Sequence, residues 1–150
     1  MRRILLYIIV LAVLLVVPAK GADVGKLRPV ETIAIYKEDD AYVIATDTGD
    51  LGRGADLIKA LQSLKATTPA IIYLDTADYL LVSEQALEEI EALDGKLRNS
   101  VQLYLFKGKV NLKDASKFLR VHGDGPSLKA YEKGVKLQTL DCQEERIRIT

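Results

Sequence analysis

The chain has 150 residues, with 21 acidic and 21 basic side chains and a formal net charge of zero. A balanced charge gives no field that would attract nucleic acid, so we expect no nucleic-acid partner. After the N-terminal segment, the length suits one domain with an ordinary hydrophobic core. The single cysteine, Cys142, cannot form a disulfide within the chain, so packing alone must hold the fold.

The chain begins with Arg2 and Arg3, followed by an uncharged apolar run over residues 4–17. A basic start, a short apolar core and a small-residue site such as Ala19 or Gly21 are typical of a secretory signal. The large aliphatic side chains of the run include Ile4, Leu5, Leu6, Ile8, Ile9, Leu11, Leu14 and Val17. The run is shorter than the roughly 20 residues of a relaxed spanning helix, although tilt and bilayer thinning accommodate a shorter one.

Residues 1–22 are therefore predicted to be either a cleaved signal peptide or an uncleaved membrane anchor. Residues 23–150 are predicted to form a single extracytoplasmic α+β domain. In both cases the two arginines stay inside and the body of the chain is exported. The domain would lie at the outer face of the cell membrane if the segment is kept, and it would be secreted if the segment is cleaved.

The first predicted element of the domain is a β-hairpin. Residues 30–36 and 42–46 are rich in β-branched side chains, and the polar residues 37–40 between them form the turn. Residues 48–54 contain three glycines and are predicted to form a flexible connecting loop.

Three helices are predicted from apolar residues at helical spacing, over residues 57–64, 84–97 and 112–119. Ser83 and Asn111 are suited to cap the second and third of these helices. Strands are predicted between the helices, at residues 70–74, 79–82 and 101–106. The first two of these runs form either two short strands or one interrupted strand.

The order β-β-α-β-α-β-α predicts an α+β or α/β fold, in which about three helices pack on a mixed β-sheet. The apolar N-terminal signal or anchor helix is additional to this domain. Toward the C-terminus, residues 127–133 predict a short helix, and residues 135–140 and 147–150 predict weak strands. The polar residues 142–146 between these strands are predicted to be solvated. Cys142 is then expected to have no functional role. The alternative is a disulfide between two chains.

Two segments contain residue types that are typical of functional sites. Gly49, Gly52 and Gly54 lie between a strand and a helix, but their spacing fits neither the dinucleotide fingerprint nor the nucleotide P-loop. Asp75 and Asp78 follow an apolar run, where α/β enzymes often place a nucleophile or metal ligand, but no neighbouring motif completes a metal site. We interpret both segments as connecting turns, and keep Gly52, Gly54, Asp75 and Asp78 as the candidate rim of a small-ligand pocket.

The one histidine, His122, lies at a predicted helix C-terminus, where the helix dipole favours a cation. No second histidine and no serine or cysteine motif accompanies it, so a catalytic triad or zinc site has little support. The sequence therefore predicts a protein that is not an enzyme and that needs no metal or cofactor. A small hydrolase centred on Asp75 is the catalytic alternative.

Part of the chain resembles the N-terminal domain of GerC-type spore germination proteins. The resemblance is carried by residues 54–61 (GADLIKAL), 70–74 (AIIYL) and 78–86 (DYLLVSEQA). Residues 97–109 (LRNSVQLYLFKGK) resemble the next feature of that family, an Arg-x-Asn-x strand that closes on a glycine turn. The family members are lipoproteins with a cysteine just after the signal, and this chain has no cysteine there.

The resemblance implies a non-enzymatic, membrane-associated interaction domain that belongs to a germinant-receptor complex. Its partners would be the membrane, through residues 4–17 if they are uncleaved, and other receptor subunits. The resemblance transfers no binding residue to this chain. The alternative function is that of a secreted or tethered domain that binds a small ligand.

Overall fold

The computed structural model describes residues 27–69, 71–143 and 146–150. The predicted signal or anchor segment lies outside these described residues. The strands, in chain order, are β1 (Leu27–Pro29), β2 (Thr32–Glu38), β3 (Ala41–Thr46), β4 (Leu51–Gly54), β5 (Ile71–Tyr73), β6 (Tyr79–Val82), β7 (Gln102–Gly108), β8 (Gln138–Gln143) and β9 (Arg146–Ile149). The α-helices are α1 (Leu57–Thr67), α2 (Leu112–His122) and α3 (Leu128–Glu132), and two 3-10 helices span Leu74–Thr76 and Glu84–Leu93.

Seven of these strands form one mixed sheet, in the order β4-β3-β2-β6-β7-β8-β9. The four central strands, β2, β6, β7 and β8, are parallel, and β3, β4 and β9 are each antiparallel to an inner neighbour. Strands β1 and β5 form a separate parallel ribbon. Three helical segments of ten or eleven residues accompany the sheet, which confirms the predicted α+β class.

Helices cover the sheet on both faces. One buried cluster joins side chains of α1, the 3-10 helix Glu84–Leu93 and α3 to one face of the sheet, and it includes Ile33, Ile35, Leu57, Leu64, Leu80 and Ile90. A second cluster joins α2 to the other face, and it includes Ala34, Leu81, Tyr104, Leu119 and Leu140. Because both faces are covered, the central strands carry nearly continuous apolar runs.

The hairpin predicted near the start of the domain is confirmed. Strands β2 and β3 pair antiparallel, and only Asp39 and Asp40 separate them. The φ angles of these two residues are 47° and 61°, in the left-handed region that a two-residue hairpin turn requires. Aspartate tolerates this conformation better than most residues.

The prediction of a flexible loop over residues 48–54 is wrong in its second half. Leu51–Gly54 is strand β4, which pairs with β3 at the edge of the sheet. Its two glycines lie against α1: a Cβ atom on Gly52 would lie 2.2 Å from the carbonyl oxygen of Ala60, and one on Gly54 would lie 2.3 Å from the Ala60 nitrogen. These glycines therefore permit a helix to lie directly on the strand.

The ambiguity over residues 70–82 is resolved in favour of two separate strands. Strand β5 pairs with β1, whereas β6 lies in the main sheet between β2 and β7. The 3-10 helix Leu74–Thr76 connects them, and the Thr76 hydroxyl stabilises this turn by donating to the Tyr73 carbonyl oxygen at 2.7 Å. Strand β1 was not predicted, because its partner lies 44 residues along the chain.

Two expectations nearer the C-terminus also need correction. The second predicted helix is a 3-10 helix, and Ser83 makes no side-chain capping hydrogen bond to it. Cys142 is not solvated: β8 extends to Gln143 and places the thiol, which is 7% exposed, in the second core cluster. Burial raises the pKa of the Cys142 thiol, which lowers its reactivity. The short helix near residue 128 and the two weak strands are confirmed, with β8 beginning at Gln138.

Candidate functional site

The connections of the sheet define one position where a ligand site is expected. From β2 the chain continues to β3 on one side, whereas from β6 it continues through the 3-10 helix to β7 on the other side. Strands β2 and β6 are parallel neighbours, so their onward connections diverge. In open α/β sheets, ligands bind in the crevice outside the carboxyl ends of two such strands.

A cleft of about 520 Å³ lies at this position. Its walls come from the carboxyl ends of three parallel strands. The lining residues are Tyr36, Lys37 and Glu38 from β2, Ser83, Glu84 and Gln85 after β6, and Phe106, Gly108, Lys109 and Val110 from the end of β7. The volume lies in the range of small-molecule sites in proteins.

Two aromatic rings form part of the cleft wall. Tyr36 and Phe106 meet edge to face, with ring centroids 6.2 Å apart and an interplanar angle of 88°. Burial raises the pKa of the Tyr36 hydroxyl, and the nearby charge of Glu38 raises it further. The tyrosine therefore stays a neutral hydrogen-bonding group at physiological pH, beside an apolar surface.

The Ser83 hydroxyl is the polar group that the fold leaves unused in this cleft. Its oxygen is buried and has no hydrogen-bond partner among the described residues. Buried hydroxyl groups usually have a partner, so an unpaired one needs an explanation. Ser83 also precedes the 3-10 helix Glu84–Leu93, whose first backbone N–H groups have no partner within the helix. A ligand in the cleft would accept hydrogen bonds from these N–H groups, whereas the Ser83 oxygen has almost no surface open to the cleft.

Charged side chains of both signs line the cleft. Glu38 is already paired with Arg53, and Lys37 lies 4.0 Å from Asp40. Within the part of the chain that the structure describes, Glu84 and Lys109 have no ion-pair partner. The cleft therefore offers one unpaired carboxylate and one unpaired ammonium group to a ligand.

A second cavity of about 330 Å³ adjoins the start of α2 and shares Val110 with the cleft. Polar groups of its lining bond to one another: the Asp50 N–H donates to the Thr46 hydroxyl oxygen at 3.2 Å, and the Asn111 side chain accepts from the Lys113 N–H at 3.1 Å. The second bond confirms that Asn111 caps α2. These polar contacts have a structural role in a turn and a helix cap.

The four residues predicted to form a ligand rim line neither of these cavities. Gly52 and Gly54 lie against α1, as described above. Asp75 is exposed in the 3-10 helix Leu74–Thr76. Asp78 precedes β6 at the amino end of that strand, where its carboxylate pairs with Arg98. The geometry gives these residues roles in packing, in a turn and in an ion pair.

Sequence reasoning did not identify the cleft residues. The cleft brings together Tyr36, Ser83 and Phe106, the first and last of which are 70 residues apart along the chain. Only the parallel pairing of β2, β6 and β7 places them side by side. One signal in the sequence was available: each of these residues lies at the carboxyl end of a predicted strand. The order of the strands in the sheet, which defines the crevice, could not be read from the sequence.

The described residues include no group of three or more His, Cys, Asp and Glu side chains that could hold a metal ion. His122 lies at the far end of α2, its ring centroid 4.8 Å from that of Phe118, and it does not line the cleft.

Among the helices of the described residues, none is both long and apolar enough to cross a membrane.

Comparison of the chain with protein-family models, with curated proteins and with solved structures gives no match. The resemblance to germination proteins therefore remains a prediction.

Proposed function

We propose that this chain is a non-enzymatic extracytoplasmic domain that binds a small polar ligand in the cleft at the carboxyl ends of β2, β6 and β7. Residues 4–17 would export the domain and, if uncleaved, tether it to the membrane. The observation that carries the proposal is the position of the cleft at the point where the connections of the sheet diverge.

The lining of the cleft indicates the chemistry of the ligand. Lys109 and the first N–H groups of the 3-10 helix suit an anionic group, and Glu84 suits a cationic group. The Tyr36 and Phe106 rings, which contact each other, suit an apolar portion of the ligand. A small zwitterion fits this combination better than a dianion, since Glu84 would repel a second negative charge.

The absence of activating groups supports a binding role. The lining residues, all of them described, include no histidine or cysteine. Ser83 is the one serine among them, and its hydroxyl contacts no described base. An unassisted serine hydroxyl is a weak nucleophile.

Titration followed by NMR tests the binding proposal. The full chain, labelled with nitrogen-15 in detergent micelles, would be titrated in turn with γ-aminobutyrate, succinate and glucose 6-phosphate. We expect amide shifts at Lys37, Ser83 and Lys109, strongest with the zwitterion. Lys109→Gln should weaken binding of that probe by about tenfold, equivalent to about 1.4 kcal/mol.

The matched control is Lys113→Gln, which removes an exposed lysine from α2 outside the cleft and should leave the titration unchanged. Shifts that are absent from the cleft with all three probes, or that are concentrated elsewhere, would contradict the proposal.

A narrower proposal follows from the resemblance of residues 54–61, 78–86 and 97–109 to GerC-type proteins. The chain would then belong to a germinant-receptor complex and contact other receptor subunits. We expect expression confined to sporulation and recovery of the protein in the spore membrane fraction. Uniform expression in a source that forms no spores would exclude this role.

A further inference from the structure

We propose that the outer face of the β1/β5 ribbon rests on the surface of the lipid bilayer and that the ligand cleft faces away from it. This inference rests on the proposed function, because it requires residues 4–17 to be retained as a tether. The occupant of the apolar ribbon face is thus the interfacial layer of a membrane.

The ribbon presents an apolar face to solvent. In β5, Ile72 is 8% exposed and packs in the core, whereas Ile71 and Tyr73 are 45% and 42% exposed. Pro29, in register with Tyr73, is also exposed. Arg28 is in register with the buried Ile72 and pairs with Asp50 at 3.5 Å, so its charge does not belong to the outer face.

Connectivity selects the bilayer as the occupant of this face. Strand β1 begins at Leu27, and only nine residues separate it from the end of the apolar run at residue 17. Nine residues span at most about 30 Å when fully extended. The linker holds Lys20, Asp23 and Lys26, and its net charge of +1 complements anionic lipid headgroups. Tyrosine is enriched at membrane interfaces, where an apolar ring with a polar tip is favoured.

The ribbon is fixed to the sheet, so its position determines the orientation of the domain. The Val30 N–H donates to the Thr76 hydroxyl oxygen at 3.0 Å, which joins the residue after β1 to the turn after β5. Val30 itself is fully buried. These contacts hold the ribbon at the amino ends of β2 and β6, which begin at Thr32 and Tyr79.

The cleft lies at the opposite end of the same strands. Strand β2 has seven residues, and a rise of about 3.3 Å per residue separates its ends by about 20 Å. With the ribbon on the bilayer, the cleft residues Lys37, Ser83 and Lys109 therefore lie at the end of the sheet that is remote from the ribbon, where a soluble ligand can reach them.

Fluorescence quenching by a nitroxide-labelled lipid tests the orientation of the domain on the bilayer. The full chain, in a Cys142→Ser background, would be reconstituted into vesicles of phosphatidylcholine and phosphatidylglycerol that contain a lipid with a nitroxide near its headgroup. One variant, Ile71→Cys, carries a fluorophore on the ribbon. The control, Gln85→Cys, carries the same fluorophore at the cleft, on another exposed residue. We expect quenching at least threefold stronger at residue 71.

Vesicle flotation separates the two proposals. A chain that does not float with the vesicles lacks the tether, and this result contradicts the proposed tethering together with the surface contact. A chain that floats but shows equal quenching at residues 71 and 85 overturns the surface contact alone. The surface contact is also overturned if the fluorophore at residue 71 reports an apolar environment but is not quenched by the labelled lipid. In that case residues 4–17 of the same chain would cover the ribbon. Circular dichroism of each labelled variant checks that the fold is intact.

Discussion

Glu31 and Arg120 show how single side chains join distant parts of this fold. The Arg120 Nε donates to Glu31 Oε1 at 2.9 Å, and a second guanidinium nitrogen bonds the other carboxylate oxygen. These bonds connect the residue before β2 to the last turn of α2, 89 residues apart. The hydrogen bond from Arg120 lowers the pKa of the Glu31 carboxyl below its ordinary value, against a smaller effect of burial.

The pH dependence of stability follows from this shift. A carboxyl whose pKa is lowered in the folded state adds stability at pH values above its unfolded pKa, and this contribution is lost as the pH falls through the folded pKa. We expect a double-mutant cycle with Glu31→Gln and Arg120→Gln to show favourable coupling at pH 7 and almost none at pH 2. Urea unfolding of the four proteins at both pH values measures the coupling. Equal coupling at pH 7 and pH 2 would show that the carboxylate charge is not involved.

At the scale of elements, the packing of α1 on β4 illustrates a constraint that local patterns conceal. Gly52 lies beneath the helix, where its added Cβ would be 2.5 Å from the Leu64 Cβ as well as close to Ala60. Such distances require the helix to move away from the sheet. The glycines of this strand therefore determine how closely α1 approaches the core residues beneath it.

We expect Gly52→Ala to lower the free energy of unfolding by about 1–3 kcal/mol, the usual cost of overpacking a core. Urea denaturation, with the midpoint and slope fitted together, gives the measurement. Arg53→Ala is the control: Arg53 is exposed and forms an ion pair with Glu38, and a surface ion pair contributes about 0–1 kcal/mol. If both variants lose the same stability, the proximity of α1 to Gly52 has no energetic consequence.

The elements that were predicted correctly are those specified by neighbouring residues. The turn at Asp39 and Asp40 and the cap at Asn111 depend on residues a few positions apart, so their patterns are visible in the sequence. Strand β4 was not predicted, because its two glycines are typical of a loop. The ribbon and the cleft depend on pairings such as Leu27 with Ile71, which no local pattern specifies.

At the scale of the whole molecule, the location of the domain can be tested directly. We expect a Lys117→Cys variant, in a Cys142→Ser background, to react with a membrane-impermeant maleimide in intact cells, because the domain would be exported. The Lys117 side chain is 77% exposed on α2, so the reagent has access to it. The matched control lacks residues 4–17 and should be labelled only after lysis. Labelling of the full chain that also requires lysis would place the domain inside the cell.

The sheet ends on both sides in a strand of four residues, β4 and β9, each antiparallel to its inner neighbour. Short outer strands offer few unpaired backbone groups, and Arg53 and Arg148 add exposed charge to them. Such edges are poor templates for strand addition, which protects the domain from aggregating through its sheet. Any stable assembly of this domain would therefore have to use its helices, its ribbon or its cleft.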